Sequence, residues 1–174
     1  MRIAVFGLGY VGTVTAACFA KMGYKVIGND ILHKKTKALT KGVSPVNEPG
    51  LQEIISESSK KGELIGCEDL EKAVESTEIA IICVGTPSQD NGHLDISHVQ
   101  TVVAEIGEAL SKINKKENYI VVLRSTVLPG TVRRFIVPLL REKTGKEIGN
   151  GYEVFFYPEF LREGVAVKDF FNPS

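Results

Sequence analysis

The feature that most limits what this chain can fold into is Gly7-Leu8-Gly9-Tyr10-Val11-Gly12, set between the apolar run Ile3-Ala4-Val5-Phe6 and a segment of helical period. Glycines at this spacing suit a strand that turns sharply into a helix. Gly7 permits the tight turn, Gly9 lets backbone approach a pyrophosphate, and Gly12 lets helix and strand lie close together. An anion at that turn meets free N–H groups and the positive end of the helix dipole. Asp30 stands at the end of the next strand-like run, about 20 residues further on, where a carboxylate accepts hydrogen bonds from an adenosine ribose. It would repel a 2′-phosphate, which favours NAD over NADP, although Lys34 or Lys35 could reach a phosphate or the adenine edge. The alternative is a plain glycine turn followed by a solvated acid.

The rest of the chain repeats the same alternation. Strand-length runs are expected at Arg2–Phe6, Lys25–Asn29, Ile79–Val84, Tyr119–Leu123 and Glu153–Tyr157, with a short one near Leu64–Cys67. Helical periodicity covers Tyr10–Met22, His33–Lys41, Leu51–Lys60, Leu70–Ser76, Ile96–Ile113 and Thr131–Lys143. Asp95 suits the N-cap of the fifth helix and Gly42 the stop after the second. Pro138 has no N–H for the helix ladder, so the last helix should kink or break before it. Strands alternating with helices through right-handed crossovers imply an α/β fold, a doubly wound, mostly parallel Rossmann-like sheet with helices on both faces. The 174 residues suit one such domain spanning 1–174.

Composition narrows the partners. Lys plus Arg and Asp plus Glu are both 21, so no net charge draws the chain to nucleic acid or an acidic membrane. No apolar run is long enough to cross a bilayer. The three cysteines, Cys18, Cys67 and Cys83, lack metal-ligand or disulfide spacing, which suits a reducing cytoplasm. His33, His93 and His98 likewise suggest no metal site. Cys83 lies inside Ile81-Ile82-Cys83-Val84 and reads as a buried thiol rather than a nucleophile.

In an open α/β sheet, ligands bind outside the carboxyl ends of the strands. After the run at Ile79–Val84 comes Gly85-Thr86-Pro87. After Tyr119–Leu123 comes Arg124-Ser125-Thr126-Val127-Leu128-Pro129-Gly130-Thr131, and after Glu153–Tyr157 comes Pro158-Glu159-Phe160-Leu161-Arg162-Glu163-Gly164. Turn chemistry accounts for the Pro and Gly residues but not for Thr86, Thr126, Glu159 and Glu163. Thr86 and Ser125 could instead cap helices, and Glu163 could be a first-turn acid. Their recurrence on one rim suits a catalytic site assembled from several strands.

Together with Glu48-Pro49-Gly50-Leu51, these ordered segments resemble the UDP-glucose/GDP-mannose dehydrogenase family over essentially the whole chain. Ser44-Pro45 ahead of Glu48, and the stretch Arg124–Val132, are more similar to the GDP-mannose members, with UDP-glucose the alternative. The resemblance implies oxidation of a sugar-nucleotide C6 alcohol to a carboxylate by two hydride transfers to NAD, through a cysteine thioester. Carried over by motif, Gly7, Gly9, Tyr10, Val11 and Gly12 hold the pyrophosphate, and Asp30 and Lys35 the adenosine end. Thr86, Thr126 and Glu163 lie on the nicotinamide side. Thr126 also helps position a catalytic water, which Glu159 activates. Phe160, Leu161 and Arg162 run along the sugar nucleotide. Tyr157 replaces the family's usual Asn, which removes an amide contact there.

The family's nucleophilic Cys, helical connector and second domain have no counterpart before Ser174. The resemblance therefore implies NAD binding without turnover by residues 1–174 alone. Family members are homo-oligomers built largely through that connector, which leaves the association of this piece open. A non-catalytic nucleotide-binding module is the competing expectation.

Overall fold

The computed structural model describes residues 1–90, 92–113, 115 and 117–173. Apolar and β-branched runs form β1 (Arg2–Phe6), β2 (Lys25–Asn29), β3 (Leu64–Gly66), β4 (Ile79–Ile82), β5 (Tyr119–Leu123) and β6 (Tyr152–Phe156). They make one sheet in the order β3-β2-β1-β4-β5-β6, with every pair parallel. Strand order reverses between β1 and β4, which opens a crevice at their carboxyl ends.

The inner strands β1 and β4 are covered on both faces, so their side chains alternate between two cores, whereas the edge strand β6 leaves Phe155 and Phe156 exposed. Ile3, Val5 and Ile81 join one core with α1 (Tyr10–Lys21) and α3 (Leu51–Lys60). Ala4, Phe6, Ala80 and Ile82 join the other, with α4 (Leu70–Glu75) and α5 (Ser97–Lys112). Full burial of a side chain such as Phe6 or Ile82 is worth about 2 kcal/mol each. A one-residue slip of either strand would exchange the two cores. The remaining helices are α2 (His33–Thr40), α6 (Val137–Thr144) and α7 (Ala166–Phe171).

Most expected elements sit within a residue or two of their predicted ends. β4 stops earlier, because after Cys83 N donates to Phe6 O the chain leaves the ladder and Ser125 Oγ takes the Val84 carbonyl. Gly42 follows α2 with φ +72°, the left-handed stop that its position suggests. Asp95 lies one residue ahead of the α5 N-cap, Ile96, and its carboxylate accepts the Ser97 N–H at 2.8 Å. Ahead of Pro138 the chain does not break. Residues Val132–Ile136 form a π-helical turn that runs into α6, with Pro138 in its first turn. The wider turn carries the helix past a residue with no N–H to offer. The short α7 lies outside the helices expected from periodicity. It packs Val167 and Phe170 on the α1 side of the sheet, with Phe170 edge-on to Phe19 at 5.3 Å.

Candidate functional site

At the crevice the three glycines of the first turn meet three different surroundings. Gly7 has φ +93°, and a Cβ there would press on the Cys83 carbonyl at 3.0 Å. A Cβ on Gly12 would lie 1.8 Å from Gly7 O, so close packing of helix on loop excludes any side chain. Around a Cβ on Gly9 there is nothing within 4 Å. Packing does not ask for glycine at that position; the space in front of it is open to a ligand. Gly9 is also the N-cap of α1, and no side chain caps the helix. An uncapped helix start facing open space fits a pyrophosphate.

Asp30 is buried at 8% exposure. Its Oδ2 accepts the Leu8 N–H at 2.7 Å and Lys35 Nζ at 3.1 Å, while Oδ1 accepts the Leu32 N–H at 2.8 Å. Lys35, rather than Lys34, makes the ion pair. A carboxylate has about four acceptor positions, so these three bonds leave room for one more donor such as a ribose hydroxyl. Gly9, Asp30, Ile31, Lys35 and Val84 line a cavity of about 370 Å³.

Across the crevice, Thr86 Oγ1 donates to Thr126 O at 2.8 Å and Ser125 Oγ to Val84 O at 2.7 Å. The helix-cap alternative for these hydroxyls is thereby corrected. They tie the turn after β4 to the turn after β5, because parallel neighbours bring those turns side by side. Glu163 is not a first-turn acid either, since it precedes α7 and the acid of that first turn is Asp169.

The segment after β6 scatters its side chains. Glu159 is half-buried, and its Oε2 accepts the Leu161 N–H at 2.8 Å. Phe160 points to solvent at 83% exposure, while Leu161 is partly buried and packs against the core on the α1 side of the sheet. Arg162 is claimed by Asp169, through Nε at 3.0 Å and Nη2 at 2.7 Å. The hydrogen bonds from Arg162 hold the Asp169 carboxyl down at about 2. Glu163 is exposed.

Cys83 is buried, and desolvation pushes its thiol up to about 12 against the opposing pull of Arg124; Cys18 is raised to about 12 for the same first reason. Neither holds a thiolate near neutral pH.

Two site-forming groups lie beyond the candidates that the sequence singles out. Glu48, 5% exposed, accepts hydrogen bonds from Tyr10 OH, from Gly164 N at 2.8 Å and from Ala166 N at 2.7 Å. Burial alone would raise its pKa, but these bonds outweigh that and hold it below the ordinary 4.5. Arg124, 3% exposed, lies over the Tyr157 ring at 4.3 Å, with Nε and Nη1 lacking hydrogen-bond partners. Motif spacing marks both residues but names no partner for either.

Residues 1–174 match the UDP-glucose/GDP-mannose dehydrogenase family, NAD binding domain, along their whole length. The chain is 46% identical over 173 residues to GDP-mannose 6-dehydrogenase of Pseudomonas aeruginosa, and 38% identical over 174 residues to UDP-glucose 6-dehydrogenase AglM of Haloferax volcanii. It covers 99% and 100% of its own length in those matches but only 39% and 40% of the relatives. A ternary complex of the Pseudomonas aeruginosa GDP-mannose dehydrogenase superposes with a TM-score of 0.95, over 99% of this chain and 39% of that one. A UDP-glucose dehydrogenase from Pyrobaculum islandicum, 36% identical, superposes at 0.89 over the same shares of the two chains. The ordered strand, glycine loop and rim motifs thus have their counterpart in whole-chain similarity, and this chain belongs to the UDP-glucose/GDP-mannose dehydrogenase family as an NAD-binding domain.

Proposed function

We propose that the domain serves the NAD-dependent oxidation of a sugar nucleotide at its C6 alcohol, with GDP-mannose as substrate. The observation that carries this is the meeting on one rim of an open phosphate loop, the Thr86–Thr126 tie and the half-buried Glu159, in a chain 46% identical to a GDP-mannose 6-dehydrogenase. UDP-glucose is the second reading, favoured by the 38% identity to AglM.

NAD supplies the hydride acceptor when bound. The backbone from Gly7 to Gly12, with Tyr10 and Val11, would hold the pyrophosphate, and Asp30 with Lys35 the adenosine ribose. Thr86, Thr126 and Glu163 border the nicotinamide half. Glu159 has one oxygen fixed by Leu161 N–H, which leaves Oε1 to take a proton from a water positioned with Thr126. Phe160, Leu161 and Arg162 run along the sugar nucleotide: Phe160 offers the exposed face, Leu161 anchors the segment, and Arg162 reaches a phosphate only after leaving Asp169.

Cys83, the thiol that lines the crevice, is buried with its pKa pushed up to about 12, so it does not serve as the nucleophile of a thioester route, and residues 1–174 alone should bind NAD without completing the oxidation to the carboxylate. The free thiols suit a cytoplasmic setting. Calorimetric titration should show NAD binding in preference to NADP. Oxidation through to the sugar-nucleotide carboxylate should be absent with residues 1–174 alone, and present with GDP-mannose in the longest product of the coding frame that contains them. Preference of that product for UDP-glucose would overturn the substrate reading. Carboxylate formation by residues 1–174 would overturn the reading that Cys83 is not a nucleophile.

A further inference from the structure

Glu48 joins parts of the chain that lie far apart in sequence. It sits in the loop between α2 and α3, and one of its oxygens, Oε2, accepts both Tyr10 OH and Gly164 N–H, the latter at 2.8 Å. Its other oxygen accepts Ala166 N–H at 2.7 Å. Tyr10 OH also lies 3.3 Å from Gly164 N, so phenol, carboxylate and amide form one closed cluster. Tyr10 is the first residue of α1 and part of the glycine loop, so its backbone faces the pyrophosphate position while its phenol holds Glu48. Gly164 ends the stretch that begins at Glu159, and that stretch is pinned midway where Leu161 enters the core and donates its N–H to Glu159.

A shift of the Tyr10 ring therefore breaks its bond to the buried Glu48 carboxylate, which also holds the Gly164 and Ala166 amides, unless those partners move with it. Buried acceptors and donors separated in this way each carry a substantial desolvation cost. We propose that Glu48 is a positioning residue that couples dinucleotide binding at the glycine loop to the placement of Pro158–Val165. The consequence for Glu159 rests on the proposed function, whereas the coupling itself concerns NAD binding alone. Coupling of this kind is reciprocal: whatever NAD does to order the segment, an ordered segment does for NAD affinity.

The test uses the 174-residue chain, NAD, and amide hydrogen exchange at Gly164 and Ala166, with the central-strand amide of Ala80 as the unchanged reference. In the natural sequence, saturating NAD should slow exchange at both amides by roughly tenfold, within the usual span of site-to-site coupling. In Tyr10→Phe, Glu48 keeps its bonds to Gly164 and Ala166, so protection without NAD should persist but no longer respond to NAD. In Glu48→Gln only one acceptor oxygen remains, so the amide nitrogen faces either Ala166 N–H or the Tyr10–Gly164 pair; the joint response of the two amides should be lost and the dissociation constant for NAD should rise several-fold. A merely structural role would lower protection equally with and without NAD. If NAD does not protect these amides in the natural chain, or protects them equally in Tyr10→Phe, the coupling is refuted. Should Glu48→Gln not fold, Tyr10→Phe decides alone. Failure of sugar-nucleotide turnover in a longer gene product would count against the proposed function and leave these exchange results standing.

Discussion

The two sides of the crevice are held by different means. The glycine loop is fixed by close backbone packing, of Gly12 on Gly7 O and of Gly7 on the Cys83 carbonyl beyond β4, and by one carboxylate, Asp30, at the end of the next strand. The segment from Pro158 to Val165 has little support of its own. Its contacts run to Glu48, more than 100 residues earlier, to the core through Leu161, and to Asp169 through an exposed pair with Arg162. Apart from Cys83 and Val84, the groups that hold the first side lie within the β1-α1-β2 unit. The second is a tertiary arrangement that exists only once the whole sheet has formed.

This contrast can be broken most severely at Gly12. A Cβ 1.8 Å from Gly7 O forces helix and loop apart, so Gly12→Ala should lose about 3 kcal/mol or more in urea denaturation, with NAD binding abolished. Glu48→Ala should come next. It leaves the Gly164 and Ala166 amides and the Tyr10 hydroxyl without their buried acceptor, and a loss of about 3 kcal/mol is expected from the same measurement.

The Tyr10–Glu48 contact should also fail at both ends of the pH scale. The folded Glu48 pKa lies below its ordinary 4.5, so its contribution is present above that value and is lost as pH falls through the folded pKa. Burial, with the Glu48 hydrogen bond second, raises Tyr10 from 10.0 to about 12. Its contribution is complete below pH 10 and disappears as pH rises through about 12. Stability measured against pH should therefore fall less steeply between those values in Tyr10→Phe than in the natural chain. Parallel curves would show that the phenol does not carry this linkage.

Gly9 sharpens the contrast from the other direction. With open space around its Cβ, Gly9→Ala should change stability by no more than about 1 kcal/mol, the cost of a poorer helix N-cap. NAD affinity should nevertheless fall by at least about tenfold, since the methyl group occupies the space that a pyrophosphate needs. Unchanged affinity would place the pyrophosphate elsewhere. The smallest effect belongs to Arg162→Ala, because an exposed ion pair contributes little, and the denaturation midpoint should barely move.

The sheet, the glycine loop and the rim were legible because each is written in adjacent residues: apolar β-branched runs for the strands, glycine spacing for the turn, and acids and hydroxyls after each strand. Thr86 and Ser125 were open to a local reading as helix caps. Their hydroxyls instead cross to carbonyls about 40 residues away, which only strand order brings near. The same reason hides Glu48 and Arg124, whose partners lie on other elements. The helix α7 is hidden because Ala166–Phe171 is too short to show a period, and its Phe170 is held by packing on Phe19 rather than by helix signals.

The bond from the Leu8 N–H to Asp30 Oδ2 has a practical consequence for cofactor engineering. Replacing the acid after the second strand is the obvious way to admit a 2′-phosphate. In this chain that exchange would also release the amide that holds the glycine loop in shape, leaving a buried donor empty and Lys35 without its partner. A redesign toward NADP must therefore supply two things at once: a cationic pocket for the added phosphate and a new acceptor for Leu8. The exchange Asp30→Asn would meet the second need without the negative charge that repels a phosphate, but with its amide oxygen on Leu8 its amide nitrogen would face the Leu32 N–H, which then needs an acceptor of its own.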